Sequence, residues 1–161
     1  MILDLPLILE TRRNHALEHA TLHMLARQHK INMAGHSNPT GFFIFGELPT
    51  DEIRSALDEA YSRLRSGEKG LAIHPGCGTN LVATAFLPGT MAWLPFQSAR
   101  TTRGRLMLLP LAIVLAVFGF FLSRPLGTWL QRNITTEADL GNMHIVNVTL
   151  VRKGVHRITT K

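Results

Sequence analysis

The chain has 161 residues with a net charge of +6, and only 17% of them are charged, below the roughly 25% usual in soluble proteins. Its single cysteine excludes an internal disulfide. No dense cluster of Lys and Arg is interleaved with aromatic residues, so we expect no nucleic-acid partner.

The first predicted element is a helix over residues 9–29, and two short strands follow it. Apolar residues occupy nearly every face of this helix, which is typical of a buried one. Strands are predicted at 31–35 and 42–46, joined by turn-forming residues at 36–41. A second, amphipathic helix is predicted over 51–66, because its apolar residues recur at i, i+3, i+4 and i+7.

Two uncharged stretches, 81–96 and 106–123, come after a segment at 71–74 that is predicted to be extended. The second stretch is 18 residues long, which meets the length of a transmembrane helix. The first is shorter and interrupted by prolines, so it could span with a kink or enter and return. Three arginines in the connecting loop complete the pattern of a helical hairpin. Two core helices of a soluble protein are the alternative, although so small a chain has little else to cover them.

The C-terminal part alternates apolar and polar residues over 143–151 and 155–160, which predicts a β-hairpin. We therefore predict an α+β fold, in which a small domain with two helices and a short antiparallel sheet is interrupted by a hydrophobic, transmembrane helical hairpin. Residues 1–78 form the N-terminal α+β part and residues 79–124 form the hairpin. Residues 125–161 supply the C-terminal β-hairpin that joins the N-terminal part.

Chemistry is concentrated in the first helix, where the sequence His-Ala-Leu-Glu-His forms an H-x-x-E-H pattern. Its two histidines, His15 and His19, lie one turn apart on one helix face and can reach one ion, and Glu18 can reach a water on that ion. Neutral imidazole is a preferred ligand of zinc. The pattern predicts a divalent transition metal, zinc above all, with Glu18 as the general base. The alternative is two ordinary core histidines, with Glu18 paired to Arg12 or Arg13.

Further candidate ligands lie in the glycine-rich turn at 74–80, His-Pro-Gly-Cys-Gly-Thr-Asn. His74 can complete a three-ligand site with a position open for water, as in catalytic zinc sites, whereas Cys77 as a fourth ligand would make the site structural. Cys77 could instead be a nucleophile beside a histidine, with Asn80 as an orienting group. The plainest alternative is a helix-capping turn in which Cys77 is inert. His23, one helical turn beyond the pentad, is expected to support the ligands.

The H-x-x-E-H pattern, followed by H-P-x-C-G-T at 74–79 and then by a hydrophobic segment, resembles the YqhQ-like bacterial membrane proteins. That family is described as predicted metal-dependent enzymes of unknown reaction. The resemblance implies a metal site made from the matching residues of this sequence, which are His15, Glu18, His19, His74 and Cys77.

These features together predict a metal-dependent membrane enzyme, most simply a zinc-type hydrolase in which metal-activated water attacks an amide or an ester. A site at the bilayer favours a lipid-linked or membrane-peptide substrate. The alternative is a non-catalytic membrane subunit or scaffold whose metal site is structural or absent. The first residues lack a basic leader, so we expect no secretory signal and expect both termini, with the metal-site domain, to face the cytoplasm.

Overall fold

The computed structural model describes residues 2–161, and within them the fold is α+β with four α-helices and one four-stranded antiparallel sheet. The chain divides into two compact units. The first runs up to His74 and resumes over Gln131–Lys161, and the second is Pro75–Leu130. The α+β class is as predicted, and the sheet draws its strands from both ends of the chain.

The first unit contains two helices and all four strands of the sheet. The helices are α1 (Pro6–Gln28) and α2 (Thr50–Arg65), and the strands are β1 (Ala34–Asn38), β2 (Gly41–Phe45), β3 (Ile145–Arg152) and β4 (Val155–Thr160). The strands lie in the order β1-β2-β4-β3, and all neighbours are antiparallel. Both helices and the C-terminal β-hairpin therefore form close to where the hydrophobic periodicity predicts them.

The core of this unit lies between α1, α2 and one face of the sheet. Alternate residues of a strand face the same side, so Phe42 and Ile44 of β2 both enter the core and are fully buried. Leu17 of α1 and Leu57 of α2 meet them and are equally buried. Burying each side chain of this size stabilises the fold by about 1.5–3 kcal/mol.

The first strand begins at Ala34 rather than at residue 31, so its predicted position was wrong. Residues 36–38 pair with β2 instead of forming a turn, and the connection shortens to two residues, 39 and 40. The Asn38 side chain closes this connection by accepting a hydrogen bond from the Thr40 backbone at 3.0 Å. Gly41 follows with a φ of 134°, which residues bearing a β-carbon rarely adopt.

The segment before His74 also differs from the prediction, since it forms a 3-10 turn over Lys69–Ala72 rather than an extended run. The Ile73 N–H donates to the Gly70 carbonyl at 3.2 Å, and Ala72 is almost fully buried. This turn positions the Ala72 and Ile73 carbonyls as hydrogen-bond acceptors for side chains of α1.

The second unit is built from α3 (Gly78–Trp93) and α4 (Thr102–Leu130), connected through a 3-10 turn at Leu94–Ser98. The two helices pack antiparallel along a line of small residues. The neighbouring positions are Asn80 with Gly127, Thr84 with Ser123, and Pro88 with Gly119. Within the described residues, one helix, Thr102–Thr135, is long and apolar enough to span a membrane, and its most apolar 18-residue window has a mean hydropathy of 2.6.

Candidate functional site

Four histidines of the first unit gather beside the 3-10 turn, and we call them the histidine cluster: His15, His19, His23 and His74. The rings of His15 and His19 meet edge to face with their centroids 4.3 Å apart. The His74 ring lies 5.6 Å from that of His19 and 4.8 Å from that of His23. Spacing of four residues puts the three α1 histidines on one helix stripe. The three predicted histidine ligands are therefore brought together, with His23 beside them.

Backbone carbonyls fix the protonated nitrogen of the first two rings. His15 Nδ1 lies 2.9 Å from the Thr135 carbonyl oxygen, and His19 Nδ1 lies 2.7 Å from that of Ala72. A carbonyl oxygen can only accept, so Nδ1 carries the proton of each neutral ring and Nε2 carries its lone pair. Histidines that bind metals commonly hold their second N–H on a carbonyl in this way. The nitrogens that these two residues offer lie within 4.8 Å of each other.

His23 and His74 complete the cluster with different hydrogen bonding. His23 Nε2 donates to the Ile73 carbonyl at 2.8 Å, so its lone pair is on Nδ1. Burial, together with the neighbouring His23 and His19, lowers the pKa of His74 to about 4. The His74 ring is therefore neutral at physiological pH, the form in which imidazole binds a metal.

Gln131 anchors the cluster from the end of the long apolar helix. Its Oε1 accepts the His74 backbone N–H at 2.9 Å, and the residue is fully buried. Its Nε2 has no hydrogen-bond partner within the part of the chain that the structure describes. The π-helical turn Gln131–Thr135 also supplies the carbonyl that holds His15. No motif marks Gln131 in the sequence, where its only signal is a polar side chain directly after an apolar helix.

Glu18 is almost fully buried on α1 and faces the sheet. Its carboxylate accepts a hydrogen bond from the Ser37 hydroxyl of β1 and packs closely over Gly35. The two arginines considered as its alternative partners bind backbone carbonyls. Arg12 Nε donates to Ile134 at 2.8 Å, and Arg13 Nε donates to Asp139 at 2.9 Å.

Cys77 and Asn80 belong to the second unit, where both shape the start of α3. Cys77 is the N-cap residue, and its sulfur accepts the Thr79 backbone N–H at 3.4 Å. Asn80 Nδ2 donates to the Pro75 carbonyl at 2.9 Å. The Cys77 thiol itself therefore caps the start of α3, three residues after His74 in the chain.

Comparison with known proteins gives two matches. Residues 10–148 match the family DUF6391, a domain of unknown function, and this range contains every residue of the histidine cluster together with Glu18 and Cys77. An uncharacterized protein of Picosynechococcus sp. (strain PCC 7002) is 36% identical over 147 aligned residues, which cover 83% of this chain and 69% of that protein. No solved structure matches the chain.

Proposed function

We propose that this chain, which belongs to the DUF6391 family, is a membrane-bound metalloenzyme whose histidine cluster holds a divalent transition metal, zinc above all. One observation carries the proposal, namely the way in which the rings of the cluster are grouped and held by hydrogen bonds. His15 and His19 each commit Nδ1–H to a backbone carbonyl, and His74 has a pKa of about 4. A neutral His74 ring and two imidazoles whose Nδ1–H is held by a backbone carbonyl suit the binding of a zinc-type ion.

In this proposal His15, His19 and His74 are the metal ligands, and His23 supports His74. Zinc bound by three histidines supplies a Lewis acid and lowers the pKa of a coordinated water toward about 7. Glu18 would accept the proton of that water, and the Ser37 hydroxyl would hold the carboxylate in place. The reaction class that fits these roles is hydrolysis of an amide or an ester. The YqhQ-like resemblance supports the same ligand residues.

The membrane part of the proposal rests on the second unit. In the helix Thr102–Thr135, 17% of the most apolar 18-residue window is buried, whereas a core helix of a soluble protein is mostly buried. We infer that α3 and α4 insert as a hydrophobic helical hairpin and that the first unit faces the cytoplasm. A site at this position favours a lipid-linked or membrane-peptide substrate.

The test is the metal content of the full-length protein, purified in detergent without chelator. Wild type should carry about one zinc or other transition metal per chain. His19→Ala should lose that metal, and His144→Ala, which removes an exposed histidine of the same unit, should retain it. A wild-type protein without metal would overturn the proposal.

A non-catalytic membrane subunit with a structural metal is the second candidate, because Cys77 is a buried thiol close in sequence to His74. Cobalt-substituted protein separates the two functions. A thiolate-to-cobalt absorption band that disappears in Cys77→Ser indicates a closed four-ligand site. A spectrum that Cys77→Ser leaves unchanged supports the open, catalytic site, and Glu18→Gln should then keep the metal while losing hydrolysis.

A further inference from the structure

The second unit contains a cavity of about 410 Å³ where α3 ends and α4 begins. The cavity is lined by both apolar and polar residues, and only one of them is charged. The apolar lining residues are Trp93, Phe96, Leu106 and Leu109, and the polar ones are Gln97, Thr102 and Arg105. A cavity lined by both apolar and polar residues fits an amphiphilic ligand that has an apolar tail and a polar head.

The charged residues near the cavity indicate the sign of the charge on the polar head. Between Glu68 and Glu137 the sequence contains no Asp or Glu, yet Arg100, Arg103 and Arg105 lie together at this end of the unit. All three arginines are exposed. No carboxylate of this segment can neutralise them, so the polar lining residues of the cavity favour an anion.

The surroundings of the cavity are those of a bilayer interface. Trp93 is 57% exposed and Leu106 is 66% exposed. Tryptophan is enriched where membrane meets water, and arginine beside it can reach the lipid head groups. The lining residues are therefore of the types found where a phospholipid changes from phosphate to acyl chain.

We propose that this cavity binds an anionic phospholipid, with its phosphate-bearing head group at Arg105 and an acyl chain along Leu106 and Leu109. Trp93 packs against the same chain. The inference rests on the membrane part of the proposed function and is independent of the histidine cluster. It assigns the second unit a specific lipid partner in addition to its insertion in the bilayer.

Tryptophan quenching by brominated lipids tests this site in the full-length protein. The Trp129→Phe variant leaves Trp93 as the only tryptophan. It is placed in phosphatidylcholine nanodiscs that contain equal mole fractions of acyl-brominated phosphatidylglycerol or acyl-brominated phosphatidylcholine. One arginine near an anionic surface predicts a roughly fivefold preference for the glycerol lipid. Arg105→Gln should abolish the preference, and Arg124→Gln, which changes an arginine outside the cavity, should retain it.

Four results would overturn the site, and one of them also overturns the membrane placement. Quenching by neither lipid means that Trp93 is outside the bilayer and that the membrane part of the proposed function fails. Equal quenching by both lipids leaves the membrane placement standing and removes the site. Equal losses in Arg105→Gln and Arg124→Gln indicate a diffuse charge effect. Displacement of the brominated phosphatidylglycerol by inorganic phosphate at constant ionic strength indicates a site for the free ion.

Discussion

The side chain of Glu18 lies against the Cα of Gly35, so closely that a β-carbon at position 35 would overlap it. The same carboxylate accepts the hydroxyl hydrogen bond of Ser37, two residues along β1. Residues i and i+2 of a strand face the same side. The strand β1 thus presents open space at Gly35 and a hydroxyl donor at Ser37. The buried Glu18 carboxylate fills the space and accepts the hydrogen bond.

Gly35→Ala should destabilise the protein by about 1–3 kcal/mol, because Glu18 is buried and cannot move aside freely. Gly70→Ala is the matched control, since nothing lies within 4 Å of a β-carbon at that position. It should change the stability by less than about 0.5 kcal/mol. Thermal unfolding in detergent measures both variants, and equal midpoints for the two would contradict the close contact.

Asn14→Asp should be among the most damaging single substitutions in the first unit. Asn14 is fully buried, and its Nδ2 donates to the Asn38 carbonyl at 2.9 Å and to that of Pro39 at 3.2 Å. A carboxylate there would face two acceptors, which costs about 3 kcal/mol or more. Thr160→Val removes only the hydroxyl that donates to Asn14 Oδ1 and should cost about 1 kcal/mol. Denaturant unfolding that ranks the two variants in the opposite order would count against this network.

The metal-free protein should lose stability as the pH falls from about 6.5 toward 4. The first number is the ordinary pKa of His74, and the second is its pKa in the folded protein. In this window the unfolded chain binds a proton at His74 that the folded chain does not, so acid favours unfolding. The loss begins below the unfolded value and is complete near the folded one. His74→Gln should have a flatter profile of unfolding free energy against pH over the same window. Identical profiles for the two chelator-treated proteins would show that His74 is not responsible.

Gly127→Ala should weaken the packing of α3 against α4. A β-carbon at Gly127 would meet the Asn80 side chain and would lie 3.1 Å from the Asn80 Cα, which cannot give way without moving the helix. Gly89→Ala introduces the same group on α3 where nothing lies within 4 Å. It should be neutral or stabilising by up to about 1 kcal/mol, because alanine is the better helix former. The measurement is thermal unfolding of both variants in detergent, and a stabilised Gly127→Ala would exclude the close approach.

The periodic elements of the fold were predictable, whereas the position of the first strand was not. The spacing of apolar residues is a local signal, and it located α2 (Thr50–Arg65) and the C-terminal strands to within about two residues. Ser37 and Asn38 have turn-forming side chains, and they join β1 because Glu18 and Arg157 supply hydrogen bonds from elsewhere in the chain. A partner that is distant in sequence overrides local preference without leaving a local pattern.

The candidate site also has one part that the sequence predicts and another that it does not. Spacing of four residues on a helix is sufficient to align His15 with His19. The groups that decide which ring nitrogen carries the proton are the backbone carbonyls of Thr135 and Ala72, and any residue type could provide a carbonyl. Gln131 could not be identified from the sequence for a related reason, because its side chain binds the backbone N–H of His74, a group that almost every residue type has. The grouping of the histidines could therefore be predicted from the sequence, but the groups that orient their rings could not.

The pairing of Phe42 with Ile158 determines the order in which the molecule can be completed during its synthesis. Strand β2 leaves the ribosome long before β4 exists, and all of α3 and α4 is translated in the interval. The apolar helices emerge while the sheet still has an open edge, and exposed apolar surface beside an unpaired strand is a hazard for aggregation. Thr135, which holds His15, is also translated after α4. The histidine cluster is thus completed only after the apolar helices have emerged.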